Sequence, residues 1–154
     1  MNLRIIFSFF TMILFLQVES VYSLEIASCR NPKGHAFYHD IENWQRDGIT
    51  GGLTTLQKLN DGKYDISIVD VRKKIISFRQ DGGEILLLRK GTREATFMHI
   101  YPGTVIELYT FWIGLDGKAH FDIIQSKGGD NPLIVRKSAV YVGDCDEIKL
   151  DLIE

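Results

Sequence analysis

Residues 84–126 read EILLLRKGTREATFMHIYPGTVIELYTFWIGLDGKAHFDIIQS, and the fold follows from how this stretch is punctuated. Four runs rich in Ile, Leu, Phe, Tyr and Thr, at 84–89, 94–101, 104–113 and 118–126, are separated by Gly91, Pro102-Gly103 and Asp116-Gly117. Runs of this length and composition are strand patterns, and Pro-Gly and Asp-Gly supply the backbone that tight turns need. Connections this short make consecutive strands pair antiparallel.

The same rhythm extends outward to strands at 64–71, 75–80 and 138–143, with turns at Asp61-Gly62, Asp81-Gly82-Gly83 and Gly128-Gly129. The segment 49–59 adds a further strand bent at Gly51-Gly52. Tyr64, Ile66 and Ile68 oppose Asp65 and Ser67, and Ile76 and Phe78 oppose Ser77 and Arg79, so these strands have one apolar face. Segments 85–88 and 104–113 are apolar on both faces, which predicts central or covered strands. Only 41–46 and 147–154 carry a helical period. All 14 glycines fall after residue 23, about 11% of that part against a typical value of about 7%. The expectation is an all-β fold, an antiparallel meander of seven to nine strands forming a barrel or a two-sheet sandwich, with little helix.

Ahead of this lies a different kind of sequence. Met1 to Arg4 carry one positive charge, Ile5 to Leu16 are apolar apart from Ser8 and Thr11, and Gln17 to Ser23 turn polar. That order is a secretory signal peptide, too short in its apolar part for a membrane span of about 20 residues. Val21 and Ser23 set cleavage after Ser23, leaving 24–154 as a single β domain. Export places the protein in the periplasm or outside the cell. Cys29 and Cys145, the two cysteines, then mature where disulfides persist and are expected to pair. The run Ile26-Ala27-Ser28-Cys29 resembles a lipobox, but Glu19 and Glu25 separate it from the apolar segment.

The formal charge of -2, from 18 basic and 20 acidic residues, argues against a nucleic-acid partner. In a meander, alternate turns share an end. This grouping puts Arg72, Lys73, Lys74, Arg89, Lys90 and Arg93 together as a candidate anion-binding patch, suited to an anionic envelope surface or an acidic protein, with Asp61, Asp81, Glu84 and Asp130 opposite. The alternative is that these cations only keep apolar strands soluble.

Motifs that carry chemistry are sparse. There is no nucleophile elbow, phosphate loop, zincin pattern or dinucleotide fingerprint, and nothing calls for a cofactor. His35, His39 and Asp40 have a spacing compatible with a metal, but two His at even spacing are a weak signal and no metal site is assigned. His99 and His120 lie on strands separated by another, about 9 to 10 Å apart. Glu107, on an apolar strand, is the most suspicious acid, and burial would raise its pKa. Tyr109, Phe111 and Trp112 are the candidate lining of a ligand cavity.

Asp47-Gly48-Ile49-Thr50-Gly51-Gly52, Tyr64-Asp65-Ile66, Gln80-Asp81-Gly82-Gly83, Tyr109-Thr110-Phe111-Trp112 and Gln125-Ser126-Lys127-Gly128-Gly129 together resemble a family of small secreted proteins of Gram-negative bacteria. The resemblance spans most of the mature chain and implies a compartment, without an activity or a catalytic residue. The expected function is a non-catalytic binding or structural module. An envelope enzyme whose site is assembled from distant strands, and an inhibitor or immunity-type protein, are the alternatives.

Overall fold

The computed structural model describes residues 23–49, 51–69 and 74–154. Ten strands make up one antiparallel sheet: β1 (Leu24–Tyr38), β2 (Asn43–Gly48), β3 (Leu53–Lys58), β4 (Tyr64–Val69), β5 (Ile75–Ser77), β6 (Glu84–Lys90), β7 (Glu94–Tyr101), β8 (Val105–Ile113), β9 (Ala119–Lys127) and β10 (Lys137–Ile148). Their order is β5-β4-β3-β1-β10-β9-β8-β7-β6, with β2 paired to β1 beside β3. The sheet curls into a half-barrel, so the expected meander is present, as one sheet and not as a sandwich of two.

Hairpin chemistry explains most of this order. Gly103 and Gly117 have φ of 76° and 80°, the left-handed region their turns require and side chains resist. Through Pro102-Gly103 the register runs Tyr101 to Val105 and His99 to Glu107. Through Asp116-Gly117 it runs Ile113 to Ala119 and Glu107 to Gln125.

Two strands lie where no hairpin signal pointed. β1 is 15 residues long and mixed in composition. Its register shifts between Ser28 and Cys29 and again between Arg30 and Lys33, where Asn31 takes φ of 50°. Pro32 sits in this irregular stretch, the place in a strand where a missing N–H does no harm. The bend divides β1's outer edge, its lower part pairing with β3 and its upper part with β2. The helical period at 41–46 is overridden: residues 39–42 form a turn closed by Glu42 at φ of 49°, and Asn43 continues as strand. The period at 147–154 yields only a single 3-10 turn, Leu150–Leu152.

Packing fills one end of the half-barrel, the end where Leu24 begins β1. Phe97, Phe111 and Phe121 form a row with centroids 6.1 Å apart, Phe97 edge-on to Phe111 and Phe111 stacked on Phe121, and Tyr64 meets Phe97 edge-on at 5.0 Å. Ile26, Leu56 and Ile66 complete this buried layer. Removing one such ring costs about 3 to 5 kcal/mol. The C-terminal turn closes the end, with Ile153 fully buried and the Tyr64 hydroxyl accepting from Glu154 N at 3.0 Å. The expectation of central or covered strands holds for 104–113, which is central as β8, and is corrected for 85–88, which lies on the edge strand β6. β8 is central in the sheet, but its outward Ile106 is 53% exposed, and Leu86 and Leu88 on β6 are exposed as well. Among the described residues no layer covers the convex side.

Cys29 and Cys145 face each other across the β1–β10 ladder and are disulfide-bonded. The bond excludes the lipidated reading of Cys29. It spans 116 residues, and a loop of that size gives about 4 to 5 kcal/mol in the chain-entropy account. Replacing both cysteines by Ser should lower the unfolding free energy by about that amount, measured by urea titration against the oxidised protein.

Candidate functional site

The opposite end, where β1 reaches Tyr38, is hollow. A cavity of about 570 Å³ lies on the concave side, walled by Ile68, Ile76, Phe78, Ile123, Ile134 and Tyr141. Two polar clusters form part of its lining.

The first cluster is centred on Glu107, which is 6% exposed. Its neighbours follow from the register, since His99 on β7 and Gln125 on β9 flank it on both sides. His99 Nδ1 donates to Oε2 at 2.9 Å, the Tyr109 hydroxyl donates to the same oxygen at 2.9 Å, and Gln125 Nε2 donates to Oε1. Burial pushes the Glu107 carboxyl up, but the three donors outweigh it and hold the group below its usual range. The expected rise is therefore reversed. Burial, helped by the Glu107 charge, drives the Tyr109 hydroxyl well above its ordinary value.

Chemically, this pair resembles the base-orienting half of a catalytic triad. Because a carboxylate only accepts, the Nδ1 that meets Oε2 carries a proton. Among the described residues the buried Nε2 has no hydrogen-bond partner, and it faces Gly83, where a Cβ would lie 2.5 Å away. Phe78 stacks on the ring at 4.1 Å. The nitrogen that would act as base is thus covered by the segment between β5 and β6.

The second cluster joins β1, β2 and β10. Asp47 Oδ2 accepts from the Tyr141 hydroxyl at 2.7 Å, from Lys137 Nζ at 2.9 Å and from the Tyr38 hydroxyl at 3.0 Å, while Oδ1 accepts from Gly48 N at 2.8 Å. Gly34 lies between Asp47 and Tyr141 in the register, and a Cβ there would run into the Val140 carbonyl. Partial burial raises the Asp47 carboxyl, yet the donors from Tyr141, Lys137 and Gly48 bring it down to about 2. Tyr141 is raised, by burial first and by its bond to Asp47 second.

The residues singled out from sequence are dispersed. Tyr109 lines the cavity, Phe111 is packed into the filled end, and Trp112 is on the outer face against His120 at 4.5 Å. Arg72 and Lys73 fall outside the described residues. Lys74 adjoins β5, whereas Arg89, Lys90 and Arg93 lie at the Leu24 end, because β5 and β6 are not joined as a hairpin and the alternation of turns breaks there. The Asp61 turn shares the Leu24 end with them. Arg89 pairs with Glu94 at 3.1 Å, Lys90 donates to the Ile153 carbonyl, and Arg93 donates to the Ile113 carbonyl at 3.0 Å. His35 is exposed, and His39 meets Ser138 Oγ at 3.1 Å. Among the described residues no three His, Cys, Asp or Glu converge as metal ligands. His99 and His120 sit on opposite faces, His120 bonding Asp144 at 3.0 Å.

Comparison with protein-family models, with curated proteins and with solved structures gives no match for the chain. The geometry therefore carries the functional reading.

The donors from Tyr141, Lys137 and Gly48 hold the folded Asp47 carboxyl at about 2, below the usual carboxylate range. Its contribution to stability is complete above the unfolded value and is lost as pH falls through the folded one. The urea midpoint should drop between about pH 4 and pH 2. Asp47→Asn should cost about 1 to 3 kcal/mol at neutral pH and should show a shallower drop in that window.

Proposed function

We propose that the chain is an exported binding module that takes a small ligand of apolar body into the hollow end of the half-barrel. The carrying observation is the cavity of about 570 Å³, within the range of about 300 to 1,000 Å³ usual for ligand sites. Half of its lining residues are aliphatic or aromatic, and barrel mouths are a common place for such sites. Of the three carboxylates that line it, Asp47, Asp81 and Glu107, Asp47 and Glu107 already accept donors from the protein itself. Such groups shape and polarise a pocket more readily than they react in one. The enzyme reading is weaker because Glu107 already accepts three donors from the protein and His99 Nε2 faces Gly83.

Export is supported by the charged, apolar and polar order of residues 1–23 and by the disulfide, which suits an oxidising compartment. No helix among the described residues is long and apolar enough to cross a membrane. The resemblance to small secreted proteins of Gram-negative bacteria points to the same address.

Two measurements test these statements. The neutral fluorophore N-phenyl-1-naphthylamine should bind saturably at one per chain, and Ile134→Trp, which fills the mouth from a partly buried loop position, should weaken it at least tenfold with the melting temperature retained. Absence of saturable binding, or equal binding by the variant, overturns the cavity reading. Expressed with its own leader in a Gram-negative host, the protein recovered outside the cytoplasm should have an intact mass beginning at Leu24 and lacking two hydrogens. Retention in the cytoplasm with residues 1–23 attached overturns export.

A further inference from the structure

The convex face of the sheet carries a second site, independent of the cavity. Along β1, Ala36 is fully buried, while Lys33 and His35 alternate with it and are exposed. The register sets His35 opposite Arg46 on β2 and Val140 on β10, with Phe37 opposite Trp44 and Lys33 opposite Val142. Lys33, His35, Trp44, Arg46, Val140 and Val142 line one open groove across these three strands. Diagonal neighbours on adjacent strands are about 7 to 8 Å apart, within reach of long side chains. Lys33 and Arg46 stand in that relation and are able to meet on one anion.

Charge accounting sets this groove apart. Arg30, Lys58, Lys63, Arg89, Lys118, Lys137 and Lys149 each pair with a carboxylate, and Lys90, Arg93 and Arg136 donate to backbone carbonyls. Among the described residues Lys33, Arg46, Arg79 and Lys127 have neither kind of partner, and of these Lys33 and Arg46 share the lining of this groove. The acid at the groove's edge, Asp47, gives its charge to Lys137 and its hydrogen-bonding capacity to the two tyrosines. The groove is left with two uncompensated cations. Beside them Trp44 is 60% exposed, tilted against Phe37 at 5.5 Å, and Val140 and Val142 are about half exposed. An unpaired guanidinium and ammonium suit a phosphate better than a single carboxylate, the guanidinium because its fork matches phosphate oxygens. An exposed indole next to aliphatic side chains suits a flat apolar group.

We propose that this groove binds a phosphate group carried on an apolar body, with Arg46 and Lys33 taking the phosphate and Trp44, Val140 and Val142 taking the body. A soluble aromatic phosphate and an anionic lipid headgroup share that chemistry.

Calorimetric titration of the full chain tests it with phenyl phosphate and inorganic phosphate as probes, and cosedimentation with phosphatidylglycerol or phosphatidylcholine vesicles separates the two sources. Phenyl phosphate should bind at least tenfold more tightly than inorganic phosphate and weaken with added salt. Lys33→Gln combined with Arg46→Gln should reduce binding at least tenfold, and Trp44→Ala should bring phenyl phosphate down to the level of inorganic phosphate. All three positions are exposed, so an unchanged melting temperature marks each variant as folded. Cosedimentation with phosphatidylglycerol and not phosphatidylcholine, lost in the double variant, supports the site with lipid as its source. Failure of both phenyl phosphate and phosphatidylglycerol, or binding that the double variant leaves intact, overturns the proposal. Neither outcome bears on the fluorophore binding expected in the cavity.

Discussion

The structure depends on the pairing of its first and last strands. β1 lies between β3 and β10, so the two halves of the sheet exist as one curved surface only because residues 24–38 and 137–148 share a ladder. The loop that this pairing closes is nearly the whole domain, and closure of so long a loop is entropically expensive. The Cys29–Cys145 bond sits inside that ladder and makes the closure permanent. With β1 and β10 joined, the inward faces of both halves meet over Phe97, Phe111 and Phe121, and the outward faces of β2, β1 and β10 form a continuous strip.

Large rings fill only one end. At the other, the inward positions are held by His99, Glu107, Gln125, Asp47, Lys137 and Tyr141, whose polar ends need partners when removed from water. They find them mostly in one another, across neighbouring strands, and hold the wall in place without filling the volume in front of it. These polar side chains, tied to the wall by hydrogen bonds, share it with Ile68, Ile76 and Ile123, and the space in front stays open. The segment between β5 and β6 completes this arrangement. It forms the one junction of consecutive strands that neither pairs directly nor shares β1 as a partner, and it lays Phe78 and Gly83 against the His99 ring.

Electrostatics on the outside follow from the same topology. Cations at the Leu24 end are taken up by nearby carboxylates and by carbonyls of the last residues, as with Lys58 on Glu154 and Lys90 on Ile153. Among the described residues the groove over β1 and β2 has Asp47 as its lining acid, and Asp47 points inward. A near-neutral chain therefore carries a local positive groove on its convex side, away from the turns where a basic patch was expected.

Much of the fold is local and was legible. Pro102-Gly103 and Asp116-Gly117 define hairpins whose register can be counted outward residue by residue, and that count alone places His99 and Gln125 beside Glu107. Strand content, turn positions and the disulfide partners likewise follow from spacing and composition. The place of β1 does not, because its mixed sequence has no alternation and its partners lie as far as 116 residues away. The Asp47 cluster depends on that long-range register, as do the hollow end and the unpaired state of Lys33 and Arg46. The sequence by itself determined which segments become strands, because φ preferences and side-chain alternation act over a few residues. Only the tertiary structure decided which strand edges meet, and with them which polar groups face the cavity and which cations are left without a partner.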